Sequence, residues 1–155
     1  MKPPIRLALV WHFHQPEYTD PFSGRSTLPW TRLHAIKDYA DMADRLARHP
    51  GVRATINVVP SLIDQLEALA SESTPPDPFY EAAATAAIDL TAEQRRFVVT
   101  HFFSFNRETM AREMKRVQEL LALRGEYGPE ALPQHAVDRF DVDALRDLQV
   151  LFHLV

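Results

Sequence analysis

The apolar run "IRLALVWHF" at 5–13 is bounded by Pro3 and Pro4 on one side and Pro16 on the other. Its length and its content of strand formers predict a buried strand over 5–13. Side chains alternate along a strand, so His12 and, on a continued extended path, His14 share one side above Ala8 and Val10. The stretch "YTDPFSGRSTLPW" that follows is rich in Pro, Gly, Ser and Thr. It predicts a long loop over the same strand end, with Trp30 near its exit. In "TRLHAIKDYADMADRLARHPG", Leu33, Ile36, Tyr39, Ala40, Ala43, Leu46 and Ala47 recur at helical spacing and the pattern stops at Pro50-Gly51. "VRATINVV" predicts a second short strand carrying Asn57, and Ser61 is the expected N-cap of the helix "LIDQLEALA". The order strand, helix, strand, helix argues for parallel strands in one sheet joined by right-handed crossovers.

Beyond a linker by composition, "SESTPPDP" at 71–78, the periodicity becomes helical throughout. Thr91 to Gln94 fits a capping box ahead of "RRFVVTHFFSF". "NRETMAREMKRVQELLALRG" predicts one amphipathic helix ending at Gly125, and Asp141 is placed to cap "VDALRDLQVLFHLV". The domain organisation expected is therefore two βα units over 1–70 and a helical segment over 79–155, both parts of a single domain. Two strands are few for a sheet, and a complete eight-stranded barrel takes about 250 residues. The chain also closes on the apolar run "LQVLFHLV". Together these features predict a truncated piece of a larger domain.

With 155 residues and 46% hydrophobic content the chain has material for a core. A net charge of −4, with 17 Lys and Arg scattered along the chain, gives no general attraction to nucleic acid or to anionic membrane. Neither partner is expected, and the oligomeric state is left open. The absence of cysteine removes disulfides, thiolate nucleophiles and Cys-ligated metals. The N-terminal apolar run is too short and too soon interrupted for a signal sequence, which makes a cytoplasmic location the default.

Three chemistries compete for His12 and His14, beside the plain structural reading in which backbone or side-chain partners satisfy their ring nitrogens. A catalytic zinc site takes three protein ligands and an open position. His34, Asp38, His49 and His101 are candidates for the third, yet none forms a local ligand spacing with the pair. Glycoside hydrolysis by a retaining route needs two carboxyl groups about 5 to 5.5 Å apart. Glu17 and Asp20 lie close in sequence, but loop acids are ordinarily solvated. The third chemistry is sugar recognition, in which His12, His14 and Gln15 supply donors and acceptors for ring hydroxyls and Trp30 supplies an aromatic wall. Asn57 reaches the same end of the second strand, unless it serves the turn before Pro60.

His14-Gln15-Pro16 after a short apolar strand resembles the first signature of glycoside hydrolase family 57. The resemblance continues through "LPWTRLHAIKDYADMADRL", "VRATINVVPSLIDQLEAL" and "DALRDLQVLFHLV". Members of that family include α-amylases, 4-α-glucanotransferases, amylopullulanases and branching enzymes. The resemblance implies an α/β fold, the N-terminal part of an incomplete (β/α)7 barrel with a mostly helical second half. It further implies a retaining mechanism on an α-glucan or maltooligosaccharide, no required cofactor or metal, and a place for His14 in the sugar cleft. His12, Gln15, Trp30 and Asn57 join it from strand and loop geometry. The family's glutamate nucleophile and aspartate acid/base belong to later signatures, so no catalytic residue is expected in this chain, which alone should be inactive. A noncatalytic carbohydrate-binding remnant and a His-liganded metal hydrolase are the alternatives.

Overall fold

The computed structural model describes residues 5–71 and 76–154. Pro3, Pro4, the middle of the expected linker (72–75) and Val155 lie outside the described residues. The chain divides into two compact units, Met1–Pro78 and Phe79–Val155.

The first unit holds a two-stranded parallel sheet. β1 (Val10–Phe13) pairs with β2 (Thr55–Val58) in a register that sets Val10 opposite Thr55 and His12 opposite Asn57. Hydrogen bonds from Thr55 N to Leu9 O (2.9 Å) and from Val59 N to Phe13 O (3.2 Å) close the ladder at its two ends. The strand expected over 5–13 is thus paired only over four residues, because its partner offers no more. Nor is it buried. Trp11 and Phe13 are half-covered, but Val10 and His12 are exposed, and β2 is exposed along its whole length. The apolar run encodes a strand for burial on both faces, while one face lies open.

α1 (Trp30–His34), a π-helical turn (Ala35–Tyr39) and α2 (Ala40–Arg48) form the connection between the strands, where one regular helix was expected. The π-turn sets the Tyr39 ring on Phe13, with centroids 4.6 Å apart. α3 (Pro60–Ala70) packs against α1. Its N-cap is Val59 rather than Ser61, since Pro60 takes the first helical position, where its missing N–H and fixed φ cost nothing. Ser61 Oγ instead donates to the Gln15 carbonyl at 3.2 Å. Leu62 is fully buried on the inner side of α3.

The second unit is helical: α4 (Pro78–Ala84), α5 (Ala92–His101), α6 (Lys115–Arg124), a 3-10 turn (Pro129–Ala131), α7 (Gln134–Val137) and α8 (Val142–Leu154). Its core centres on Phe102, which has no exposed surface and stacks on Phe152 at 4.2 Å. Phe79 stacks on the same ring at 5.7 Å. Aromatic rings bring the largest apolar area per residue, so three in one stack concentrate the core at α4, α5 and α8. The capping box forms as expected, with Thr91 Oγ1 accepting from Gln94 N and Gln94 Oε1 accepting from Thr91 N. Asp141 Oδ1 accepts from Ala144 N at 2.8 Å at the start of α8. Gln149 on α8 donates from Nε2 to the carbonyls of Ala82 and Thr85, satisfying the end of α4.

The helix expected from residue 106 begins only at Lys115. Asn106 Oδ1 accepts from the backbone N–H groups of Glu108 and Thr109, which closes a local turn in place of a first helical turn. At its other end α6 stops at Gly125, whose φ of 76° is open to glycine. Among the described residues, no helix is long and apolar enough to cross a membrane.

Candidate functional site

His12 is the third residue of β1 and His14 follows its last residue, so both imidazoles stand at the carboxyl end of the parallel pair. In parallel sheets that end is where backbone and side chains are free to meet a ligand. The two rings stack nearly in parallel, with centroids 5.7 Å apart and planes 13° from each other. Both residues are exposed, on the same side of the chain. Asn57 is brought to them by the strand register, and its Oδ1 lies 2.5 Å from His12 Nδ1.

That contact assigns chemistry to the free edges. An amide oxygen only accepts, so His12 Nδ1 must carry the proton it shares with Asn57. In the neutral ring the outward nitrogen, Nε2, is then an acceptor, while the Asn57 amide NH2 is a donor. Together they offer one acceptor and one donor on edges that point apart, each free to meet a different sugar hydroxyl.

Gln15 is placed differently. It is buried, its Nε2 donates to Tyr39 Oη at 3.0 Å, and its Oε1 accepts from Tyr18 Oη at 3.2 Å. Its amide is occupied on both sides by the fold, and its work is to hold the turn that follows His14. Burial is the main reason the Tyr18 phenol titrates above its usual range, with Tyr39 nearby adding to the effect. Trp30 opens α1 half-buried, and among the described residues its ring makes no stacking contact with either imidazole. The structure therefore brings together His12, His14 and Asn57. Gln15 holds the turn that follows them.

Sequence reasoning missed the residue that anchors this end of the unit. Gln65, buried on α3, donates from Nε2 to the carbonyls of Pro16 (3.0 Å) and Ser61 (2.9 Å). Its Oε1 accepts from Thr31 Oγ1 at 2.9 Å and more weakly from Tyr18 N at 3.4 Å. A glutamine on the buried face of an otherwise apolar helix pattern was the available signal. A buried amide must find partners for both its oxygen and its nitrogen, and a neighbouring loop or helix end can supply them.

The loop acids serve turns. Glu17 Oε1 accepts from Thr19 N at 2.8 Å. Asp20 accepts from Ser23 Oγ at 2.6 Å and from Phe22 N at 3.1 Å, and these bonds, the Ser23 hydroxyl first, hold its carboxyl below the usual carboxylate range. A carboxylate stabilised in its charged form is a poor proton donor. His34 pairs with Asp38 one turn along the helix. Among the described residues, no group of three or more His, Asp or Glu side chains is placed to hold a metal ion.

No curated protein and no solved structure matches the chain. A family model does, over residues 8–141, and its description is glycosyl hydrolase family 57. The match takes in both strands, the His12, His14 and Asn57 cluster, and the helical unit as far as Asp141. An open donor and acceptor face at the carboxyl end of a parallel strand pair suits the chemistry of such a family, glycoside hydrolysis or transglycosylation on carbohydrate, and the chain belongs to glycosyl hydrolase family 57.

Proposed function

We propose that the chain is the N-terminal portion of the catalytic barrel of a retaining, α-glucan-active hydrolase or transglycosylase of the amylase, 4-α-glucanotransferase or amylopullulanase type. It contributes sugar-binding groups and no catalytic carboxylate. His14, His12 and Asn57 line the substrate cleft, Gln15 holds the turn behind them, and Trp30 supplies an aromatic wall for the sugar ring. The observation that carries this reading is the His12–Asn57 contact, which fixes one acceptor and one donor beside the parallel His14 ring at a strand end. The exposed apolar residues Val10, Ile56 and Val58 on the strand pair suit a sheet completed by further strands, as an incomplete (β/α)7 barrel requires. The two compact units are, on this reading, parts of that one barrel. Its substrate is an α-glucan or maltooligosaccharide in the cytoplasm, with neither nucleic acid nor membrane as partner.

Titration of the purified chain with a maltooligosaccharide of about seven sugars, followed by calorimetry, tests this. The expected result is saturable binding that weakens about tenfold or more in His14→Ala or Asn57→Ala, with far-UV circular dichroism unchanged. No hydrolysis of α-glucan should accompany it. Absence of binding, or turnover by the purified chain, would overturn the reading.

A further inference from the structure

Arg124, the last residue of α6, is only 4% exposed. A buried guanidinium is ordinarily matched by a carboxylate, because burying a charge without one is costly. Here Nε donates to the Val99 carbonyl at 3.1 Å and the guanidinium carbon lies 5.4 Å from the centre of the Phe103 ring. Among the described residues no Asp or Glu pairs with it. The neighbouring charge is instead of like sign: Arg107 and, more strongly, burial hold the Arg124 guanidinium below its usual pKa.

Both arginines line one cleft of about 410 Å³ in the helical unit. That volume is within the range of small-molecule sites. Ser104 and Tyr127 also line it, and the Ser104 hydroxyl has no hydrogen-bond partner among the described residues. Thr100, on the same wall, already donates to the Arg96 carbonyl at 2.7 Å, so it can only accept. Glu126 is the one carboxylate on the lining, and it forms no ion pair with either arginine among the described residues. Two guanidinium groups and a hydroxyl donor thus face a space in which a single carboxylate opposes them.

We propose that this cleft binds a phosphate group, either free inorganic phosphate or the phosphate of a phosphorylated sugar. The flat guanidinium edge offers paired N–H donors that match phosphate oxygens, and a bound phosphate also relieves the repulsion between Arg107 and Arg124. Tyr127, on the same lining, brings an aromatic ring within reach of the sugar of the second ligand. The site lies wholly within the helical unit and does not rest on the sugar-cleft reading of His12 and His14.

The experiment is calorimetric titration of the full chain with inorganic phosphate and, separately, with glucose 6-phosphate. Saturable binding of either is expected, tighter for glucose 6-phosphate if the Tyr127 face takes the sugar and equal for both if only the phosphate group is read. Arg107→Gln, on an exposed side chain, should weaken it about tenfold or more, whereas Glu126→Gln should tighten it. A purely structural Arg124 predicts neither change. No saturation by either ligand up to about 10 mM, or binding that ignores both substitutions, overturns the proposal.

Discussion

Gln65 is the sharpest place to perturb the first unit. Gln65→Leu keeps the side-chain volume close and removes every side-chain hydrogen bond. The Ser61 carbonyl retains its helical partner four residues on, so its loss is small. The 3.4 Å contact from Tyr18 N is long and is discounted. What remains are the Thr31 hydroxyl, left buried against an apolar side chain, and the carbonyl of Pro16, an exposed residue, where water takes the place of the amide. At about 1–3 kcal/mol for the orphaned hydroxyl and about 1 kcal/mol for the lost Pro16 bond, offset by about 1 kcal/mol from the added apolar surface, the cost is about 2 kcal/mol. Thr31→Val, which removes one bond and leaves Gln65 the Pro16 and Ser61 carbonyls, should cost about 1 kcal/mol. The double variant should cost less than the sum by about 1 kcal/mol, since the hydroxyl orphaned by the first change is deleted by the second.

The assay is urea unfolding followed by tryptophan fluorescence. Both tryptophans, Trp11 and Trp30, lie in the first unit, so the probe reads that unit and not the helical one. With an m value of about 1 kcal/mol/M for a unit of this size, Gln65→Leu should lower the midpoint by about 2 M or abolish the folded baseline. A shift below about 0.5 M, or strict additivity with Thr31→Val, would refute the account of Gln65 as the clamp between α3, α1 and the turn after His14.

Three further outcomes concern the helical unit. Phe102→Ala, which empties the centre of the stack with Phe152, should cost about 3–5 kcal/mol in far-UV-monitored unfolding. Gly125→Ala should cost about 1–2 kcal/mol, because its φ of 76° disfavours any Cβ and the new methyl would come 3.1 Å from the Tyr127 ring. His101 is held below its ordinary pKa of 6.5, first by burial and then by Arg124, so the unfolded chain takes up its proton before the folded one does. The stabilisation from its neutral ring is complete above pH 6.5 and is lost as pH falls from there through the folded value. His101→Gln should therefore flatten the acid side of the thermal-midpoint profile, and a profile identical to that of the unsubstituted chain would show that His101 does not contribute.

What the sequence made legible was local. The Thr91–Gln94 box and the Asp141 cap depend on three-residue geometry, and both formed. Ser61 has the right type for a cap, but Pro60 moves the helix start two residues earlier, and Asn106 closes a local turn where a helix was expected to begin. The shared side of His12 and His14 followed from strand alternation alone. Gln15 could not be assigned that way, since Tyr39 is 24 residues away and meets it only through tertiary packing. Burial of the strands was misjudged for a related reason: an apolar run states what a strand can bury, while coverage depends on neighbours that the run itself does not specify.

The π-helical turn at Ala35–Tyr39 acts as a phase shifter. One residue added to a helical turn advances everything after it by about 100° around the axis. Trp30–His34 and Ala40–Arg48 are therefore out of step, as two lengths of thread cut at different starting angles would be, and Tyr39 sits at the splice. Deleting a single residue there would leave composition and apolar content nearly untouched while turning that ring off Phe13 and Gln15. The length of the segment, counted in single residues, is thus as much a part of the code for the His14 turn as the side chains that touch it.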